Sequence, residues 1–164
     1  MSLLTPAATK AFVALGSNLG DSRKIVSDAM ARLQPLSDAP ILKSSRWKTT
    51  PVDCPPGAPP FVNAVVGLVL HAGETPESLF AKLRLLEREF GRRPKKVLNE
   101  PRLLDLDLIA FGNETRATPT LALPHPRAHF RRFVLEPLSE IAPDLILSGQ
   151  SKTVAELLAG LKTD

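Results

Sequence analysis

The chain contains one cysteine, Cys54, among its 164 residues. An internal disulfide is thereby excluded, and a reducing, cytoplasmic setting is the expectation. The same scarcity argues against zinc, because one thiol and three histidines fall into no metal-ligand spacing. Long apolar runs are also missing. The longest stretch, Phe61 to Leu70, is interrupted by Asn63 and falls well short of the roughly 20 residues of a membrane span. Met1 to Thr9 carries no basic flank and Lys10 breaks the apolar run that follows, so no secretory signal is expected. Nothing repeats, and no low-complexity block marks a linker. The turn Gly16-Ser17-Asn18-Leu19-Gly20 lacks the lysine and spacing of a P-loop and is no dinucleotide fingerprint. A protein-kinase signature set is absent too.

What is present is an ordinary globular balance, 43% hydrophobic and 23% charged. The length suits one domain over 1–164, with residues 1–9 expected to form a flexible terminus. Sixteen prolines call for stiffly shaped loops, and five of them fall within Pro51–Pro60, where no regular element is tolerated. A net charge of +4 favours anionic partners without choosing among nucleotide, nucleic acid and acidic metabolite.

Periodicity supplies the elements. Lys10 to Ser17 reads as a strand ending in a glycine turn. Asp21 to Leu33 reads as a helix, with Ile25, Val26, Ala29, Met30 and Leu33 at helical spacing and Asp21 or Ser22 as cap. Strands are expected at Ile41–Thr49 and Phe61–Leu70. A second helix starts at Thr75 and Pro76, carries the stripe Leu79, Phe80, Leu83, Leu86 and Phe90, and stops at Gly91. Leu103–Phe111 reads as the last strand, followed by a turn at Gly112-Asn113. From Pro124 onward a hairpin-like segment and a short helix at Thr153–Leu161 are expected. Strand, helix, strand, strand, helix, strand is the ferredoxin-like βαββαβ order, an α+β sandwich with an antiparallel sheet and helices on one face. The tail is a C-terminal extension of it.

Asp105 and Asp107 alternate with Leu104, Leu106, Leu108 and Ala110, so the two acids share a strand face and those apolar residues take the other. Side chains so spaced start roughly 7 Å apart. They can converge on ions about 3.5–4 Å from one another, as in two-metal phosphoryl chemistry. Magnesium takes few carboxylates and completes its shell with water and phosphate oxygens. An isolated pair of this kind is more often a solvated strand face. The apolar strand around it and the neighbouring cations favour function. Eight cations and only three acids lie between Lys82 and Arg102. Arg92 and Arg102 bracket the loop into the acid strand and are suited to phosphate, whereas Arg84 and Arg88 read as solvating a helix face. His125, held between Pro124 and Pro126, is placed to donate to a phosphate or leaving oxygen; His129 reads as a surface residue.

Several strings together resemble the 6-hydroxymethyl-7,8-dihydropterin pyrophosphokinase family of folate synthesis. They are FVALGSNLGD (12–21), TTPV (49–52), PFVNAVV (60–66), ExxxGR (87–92), PRLLDLDLI (101–109), LPHPR (123–127) and FVLEPLSEIAP (133–143). The resemblance implies transfer of pyrophosphate from ATP to the pterin hydroxymethyl group, releasing AMP. It implies two Mg2+ ions on Asp105 and Asp107, with Arg92 and Arg102 joining the two acids as catalytic residues. ATP would be met by Glu87, Arg92, Arg102, His125 and Arg131. The pterin would lie between Phe61 and Phe133, with Asn63, Gly16, Thr50 and Pro51 along its polar edge. A monomer acting on small molecules, without nucleic acid or membrane, is the expectation.

The chain departs from many relatives at Leu98-Asn99-Glu100-Pro101, where an Arg-Trp pair is common, and at Pro94, where an arginine is. Lys95 and Lys96 are candidates to supply the missing charge. Two rivals remain at this level. One is a ferredoxin-like nucleic-acid module, although the aromatic RNA-binding motif is missing and the acids would repel a phosphate backbone. The other is a nucleotide-binding regulator that has lost activity.

Overall fold

The computed structural model describes residues 9–18, 20–49, 61–91 and 103–161. Its spine is β1 (Lys10–Ser17), an eight-residue strand buried at nearly every position. On one side β1 pairs antiparallel with β4 (Phe61–Val69), and on the other with β5 (Asp105–Phe111). Two short strands, β2 (Leu42–Lys43) and β3 (Trp47–Thr49), pair with the far edge of β4. The order β2/β3–β4–β1–β5, all antiparallel, is the ferredoxin-like topology.

Helices α1 (Ser22–Leu33) and α2 (Pro76–Glu89) cover one face. In α1 the Asp21 side chain accepts from Lys24 N, and Val26, Ala29, Met30 and Leu33 turn inward. In α2 a capping box joins Thr75 and Ser78, Pro76 sits in the first turn, and Leu79, Leu83 and Leu86 are buried. Gly91 follows at φ +87°, a left-handed conformation in which a Cβ would also lie 3.0 Å from Leu103 Cδ1. These helices and the Leu104, Leu106 and Leu108 side chains form one apolar layer.

The extension forms a second layer. A small hairpin, β6 (Arg116–Ala117) and β7 (Ala122–Leu123), precedes helix α3 (Arg132–Ile141) and helix α4 (Val154–Ala159). Val134, Leu135 and Leu138 of α3 pack with Phe12, Val65, Ile109 and Ala110 on the other face of the sheet. α1 and α2 thus occupy a single face as expected, and the extension covers part of the opposite one.

Four expectations change. The segment from Ile41 to Thr49 is two short strands, because Ser44 meets Val65 through both its backbone and its hydroxyl while the Ser45 N–H turns away to Glu140 of α3. The hairpin-like segment expected after Pro124 is helix α3, and the hairpin lies before it. The acid strand opens at Asp105, two residues later than expected. Ala110 is not on the leucine face. Phe12 pairs with Ala110 and Val13 with Leu108, so Ile109 is an inserted residue that shifts the alternation. Ile109 and Ala110 both join the layer under α3.

Because α3 closes a second core, Leu135→Ala should destabilise the protein by about 2–5 kcal/mol in chemical denaturation, comparably to Leu83→Ala under α2. A cost below about 1 kcal/mol would show that the second layer adds little to the folded state.

Candidate active site

The face of the sheet that α3 partly covers stays polar at one end. Gly16 of β1 pairs with Asn63 on one side and Asp105 on the other, and Ala14 likewise lies between Val65 and Asp107. Directly opposed residues share a face, so Asn63, Gly16 and Asp105 form one row across three strands. The outer member of the row is Trp47, opposite Asn63. Small residues in the middle matter: a Cβ on Gly16 would stand 3.2 Å from Asn63 Oδ1 and 3.7 Å from Phe61 Cδ1. Phe61, Asn63 and Gly16 are therefore one contiguous patch.

Asp105 and Asp107 are half-buried where that face opens. Burial first, and then repulsion from Asp105, raises the Asp107 carboxyl to about 7, with Glu87 adding to the repulsion and Arg84 and Arg131 opposing it. Two acids held in this way call for further positive charge. The donor set fits magnesium, which binds through one or two carboxylates together with substrate phosphates and water. Among the described residues no cluster of three or more His, Cys, Asp or Glu assembles a cage for a metal on its own.

Cations stand around the acids. Arg131, just before α3, has its guanidinium carbon 5.3 Å from the centre of the Phe133 ring and feels both carboxylates. His125 is anchored by its N–H to Ile109 O at 2.8 Å, and its Nδ1 accepts the Arg127 N–H at 3.2 Å. A neutral His125 therefore carries its proton on Nε2. Burial, then Arg131 and Arg127, lowers its pKa from the ordinary 6.5, against a smaller pull from Asp105. The imidazole is kept neutral and ready to donate from Nε2.

Between α2 and the β6–β7 hairpin lies a cleft of about 290 Å³. Phe80 and Arg84 form one wall, Thr118 to Ala122 another, and Asp107 and His125 one end. Arg84 lies over the Phe80 ring at 4.8 Å. It was expected to solvate the helix face, and instead it donates to Leu106 O and pairs with Glu87 at 3.0 Å. Arg88 is exposed, in line with its reading. Glu87, expected on the nucleotide, has a fully buried side chain whose Oε2 accepts the Leu106 N–H at 2.7 Å. The structure thus brings Gly16, Phe61 and Asn63 together, and Asp105, Asp107, His125 and Arg131 together. Thr50, Pro51, Arg92 and Arg102, the segments 51–60 and 93–101, and most of the expected flexible terminus lie outside the described residues.

Sequence reasoning missed Arg84, Phe80 and the hairpin wall. The i,i+3 Arg84–Glu87 spacing was visible, but only the burial of Glu87 distinguishes such a pair from a surface one.

A cleft with an acidic end and a cationic rim suits a polyphosphate and so an enzyme that transfers phosphate groups, a class that the ferredoxin-like fold alone does not assign. Comparison with known proteins specifies which. The 7,8-dihydro-6-hydroxymethylpterin-pyrophosphokinase (HPPK) profile matches residues 12–143. The 2-amino-4-hydroxy-6-hydroxymethyldihydropteridine pyrophosphokinase of Synechocystis sp. is 34% identical over 148 residues, which is 90% of this chain and 74% of that protein. Its namesake from Haemophilus influenzae is 36% identical over 149 residues, 90% of each chain. Among solved structures, an HPPK-DHPS crystallised in complex with substrates superposes with a TM-score of 0.72 at 11% identity. That match covers 93% of this chain and 44% of the other, so this chain spans less than half of the larger protein, and the likeness bears on fold alone. The chain belongs to the HPPK family, whose members are pyrophosphokinases of folate biosynthesis.

The charge arrangement around His125 predicts its titration. Followed by NMR, the His125 midpoint should lie below 6.5, rise in Arg127→Gln and fall further in Asp105→Asn. Shifts in the opposite directions would refute the stated electrostatics.

Proposed function

We propose that the chain transfers pyrophosphate from ATP to 6-hydroxymethyl-7,8-dihydropterin, with Asp105 and Asp107 holding Mg2+ against the triphosphate. The observation that carries this is the row Asn63–Gly16–Asp105. Two strand spacings, about 9–10 Å, separate its polar amide from its carboxylate. One bicyclic substrate can then meet Asn63 at its amide-like edge and present its hydroxymethyl oxygen near the acid end.

On this reading Phe61 and Phe133 stack on the two faces of the pterin, and the Gly16 backbone, Thr50 and Pro51 complete its polar contacts. The missing side chain at Gly16 lets the ring approach the sheet. The adenosine part occupies the cleft beside Phe80 and Thr118–Ala122, with its phosphates directed toward Asp107 and His125. Magnesium at the acid pair would supply charge neutralisation and hold the triphosphate oxygens in line. His125 donates from Nε2 to a phosphate oxygen, and Arg131, Arg92 and Arg102 balance charge that builds on the leaving AMP. The hydroxymethyl oxygen forms a bond to the β-phosphorus as the bond from that phosphorus to the α–β bridging oxygen breaks, the bridging oxygen leaves with AMP, and the hydroxyl proton passes to solvent water. Little covalent chemistry falls to the protein; alignment and fixed charge supply most of the rate.

The reading takes the chain as a cytoplasmic monomer acting on small molecules. Among the described residues no helix is long and apolar enough to cross a membrane. The acids at the open end of the sheet disfavour a nucleic-acid backbone there.

Incubation with ATP, Mg2+ and the hydroxymethyl dihydropterin should yield AMP and the pterin diphosphate. ADP would indicate a different kinase, and no turnover would favour a binding protein. Asp105→Asn and Asp107→Asn should each lower kcat by at least about 100-fold, as loss of a principal electrostatic group does. Near-normal rates in either variant would sink the metal assignment.

A further inference from the structure

We propose that Arg84 and Glu87 are a positioning pair for the reaction, acting through the backbone of Leu106, the residue between the two aspartates. The inference rests on the reading of Asp105 and Asp107 as the metal-binding acids.

Among the described residues β5 is the last strand of its sheet, so alternate residues have N–H and C=O groups that meet no further described strand. At Leu106 both groups are nevertheless engaged. Glu87 Oε2 accepts the Leu106 N–H at 2.7 Å, and the Arg84 guanidinium donates to Leu106 O. The two side chains also form an ion pair, with Arg84 Nη1 and Glu87 Oε1 3.0 Å apart. One turn of α2 has taken the place of a neighbouring strand, at a single residue.

That residue controls both acids. The Leu106 side chain is fully buried in the layer under α1 and α2, and its two peptide groups carry Asp105 on one side and Asp107 on the other. Any rotation of those peptides swings both carboxylates together. Across the sheet Asp107 faces Ala14 on β1, with Val65 on β4 beyond it, and neither offers a polar side chain to correct its aim.

Stability alone is a poor reason for this arrangement. A fully buried Glu87 is costly to desolvate, and apolar residues of similar volume commonly hold a helix on a sheet equally well. Apolar residues cannot hold a peptide N–H and C=O at a fixed angle. Arg84 is also restrained on its other side, lying over the Phe80 ring at 4.8 Å and lining the cleft with Asp107 and His125. Its position lets it offset the charge of Glu87 and of Asp107 together.

The test compares Arg84→Met, Arg84→Lys and Glu87→Gln with the wild-type protein. Readouts are amide hydrogen exchange at Leu106, Mn2+ affinity of the complex with a non-hydrolysable ATP analogue, nucleotide affinity in EDTA, and kcat. Arg84→Met and Glu87→Gln should speed Leu106 exchange and lower Mn2+ affinity and kcat by about 10–100-fold, as loss of an outer-shell partner does. Nucleotide affinity in EDTA should fall several-fold less than Mn2+ affinity does, and Arg84→Lys, which keeps a donor and a charge, should recover part of the loss. Unchanged exchange at Leu106 in folded variants, or unchanged Mn2+ affinity and kcat, would overturn the proposal. So would an equal loss of metal-free nucleotide affinity, which would make Arg84 or Glu87 a direct ligand. If Asp105→Asn and Asp107→Asn bind Mn2+ as the wild type does, the metal reading fails and takes the catalytic role of the pair with it. Faster Leu106 exchange would then show that the clamp exists but serves only the strand.

Discussion

Two carboxylates held side by side at the half-buried end of an edge strand repel one another, and the rest of the site answers that repulsion. Asp107 shows its strength, with a carboxyl raised to about 7 by burial and by Asp105. Glu87 adds a third acid from behind, fully buried beneath the strand. Against them, among the described residues, stand Arg84 and Arg131. A carboxylate pair that is poorly tolerated without added cations has room for a doubly charged ion bringing phosphate oxygens with it. On the proposed reading the unfavourable electrostatics of the free site are part of what binds the substrate-bearing metal.

The sheet makes such a pair possible by using one face in two ways. Near α3 that face is core, with Phe12, Val65, Ile109 and Ala110 packed against Val134, Leu135 and Leu138. At the other end it is Asn63, Gly16, Asp105 and Asp107. The extra residue at Ile109 reconciles the two demands on β5. Strict alternation would send Ala110 to the leucine face and Phe111 to the α3 face. The bulge reverses this, so Phe111 stays in the α1–α2 layer while two small or aliphatic residues meet α3. Glu140 of α3 makes a further tie, accepting from the Ser45 N–H and hydroxyl and from Trp47 Nε1. The layer bearing Arg131 and Phe133 is thereby fixed to the strand beside Asn63.

Much of this was legible in the chain. The helices announced themselves through Asp21, Thr75, Pro76 and Gly91, whose roles are local and need no tertiary knowledge. The acids stood out because Leu104, Leu106 and Leu108 are apolar on the alternate positions. Helix α3 was hidden by Pro137, which argues against a helix interior although the remaining apolar residues have helical spacing. The bulge at Ile109 was invisible because it depends on which residue of β1 lies opposite. Arg84 was misjudged for a related reason: sequence shows a charge on a helix, but only the packing of α2 on β5 shows it turned toward Leu106.

These features give the two ends of the site different mechanical characters. The Asn63–Gly16 end is set by a continuous ladder between β1 and β4, in which eight consecutive residues of β1 have partners. Its geometry follows from the sheet. The acid end is on the outermost of the described strands, adjacent to a bulge, where among the described residues strand pairing restrains the chain on one side only. Transfer between two bound substrates demands alignment to a fraction of an ångström at that weaker end. On the proposed reading an ion pair between the buried Glu87 and the half-buried Arg84, clamped on the intervening peptide, supplies restraint where the sheet stops supplying it, and Arg84 does so while facing the cleft that the nucleotide is proposed to fill.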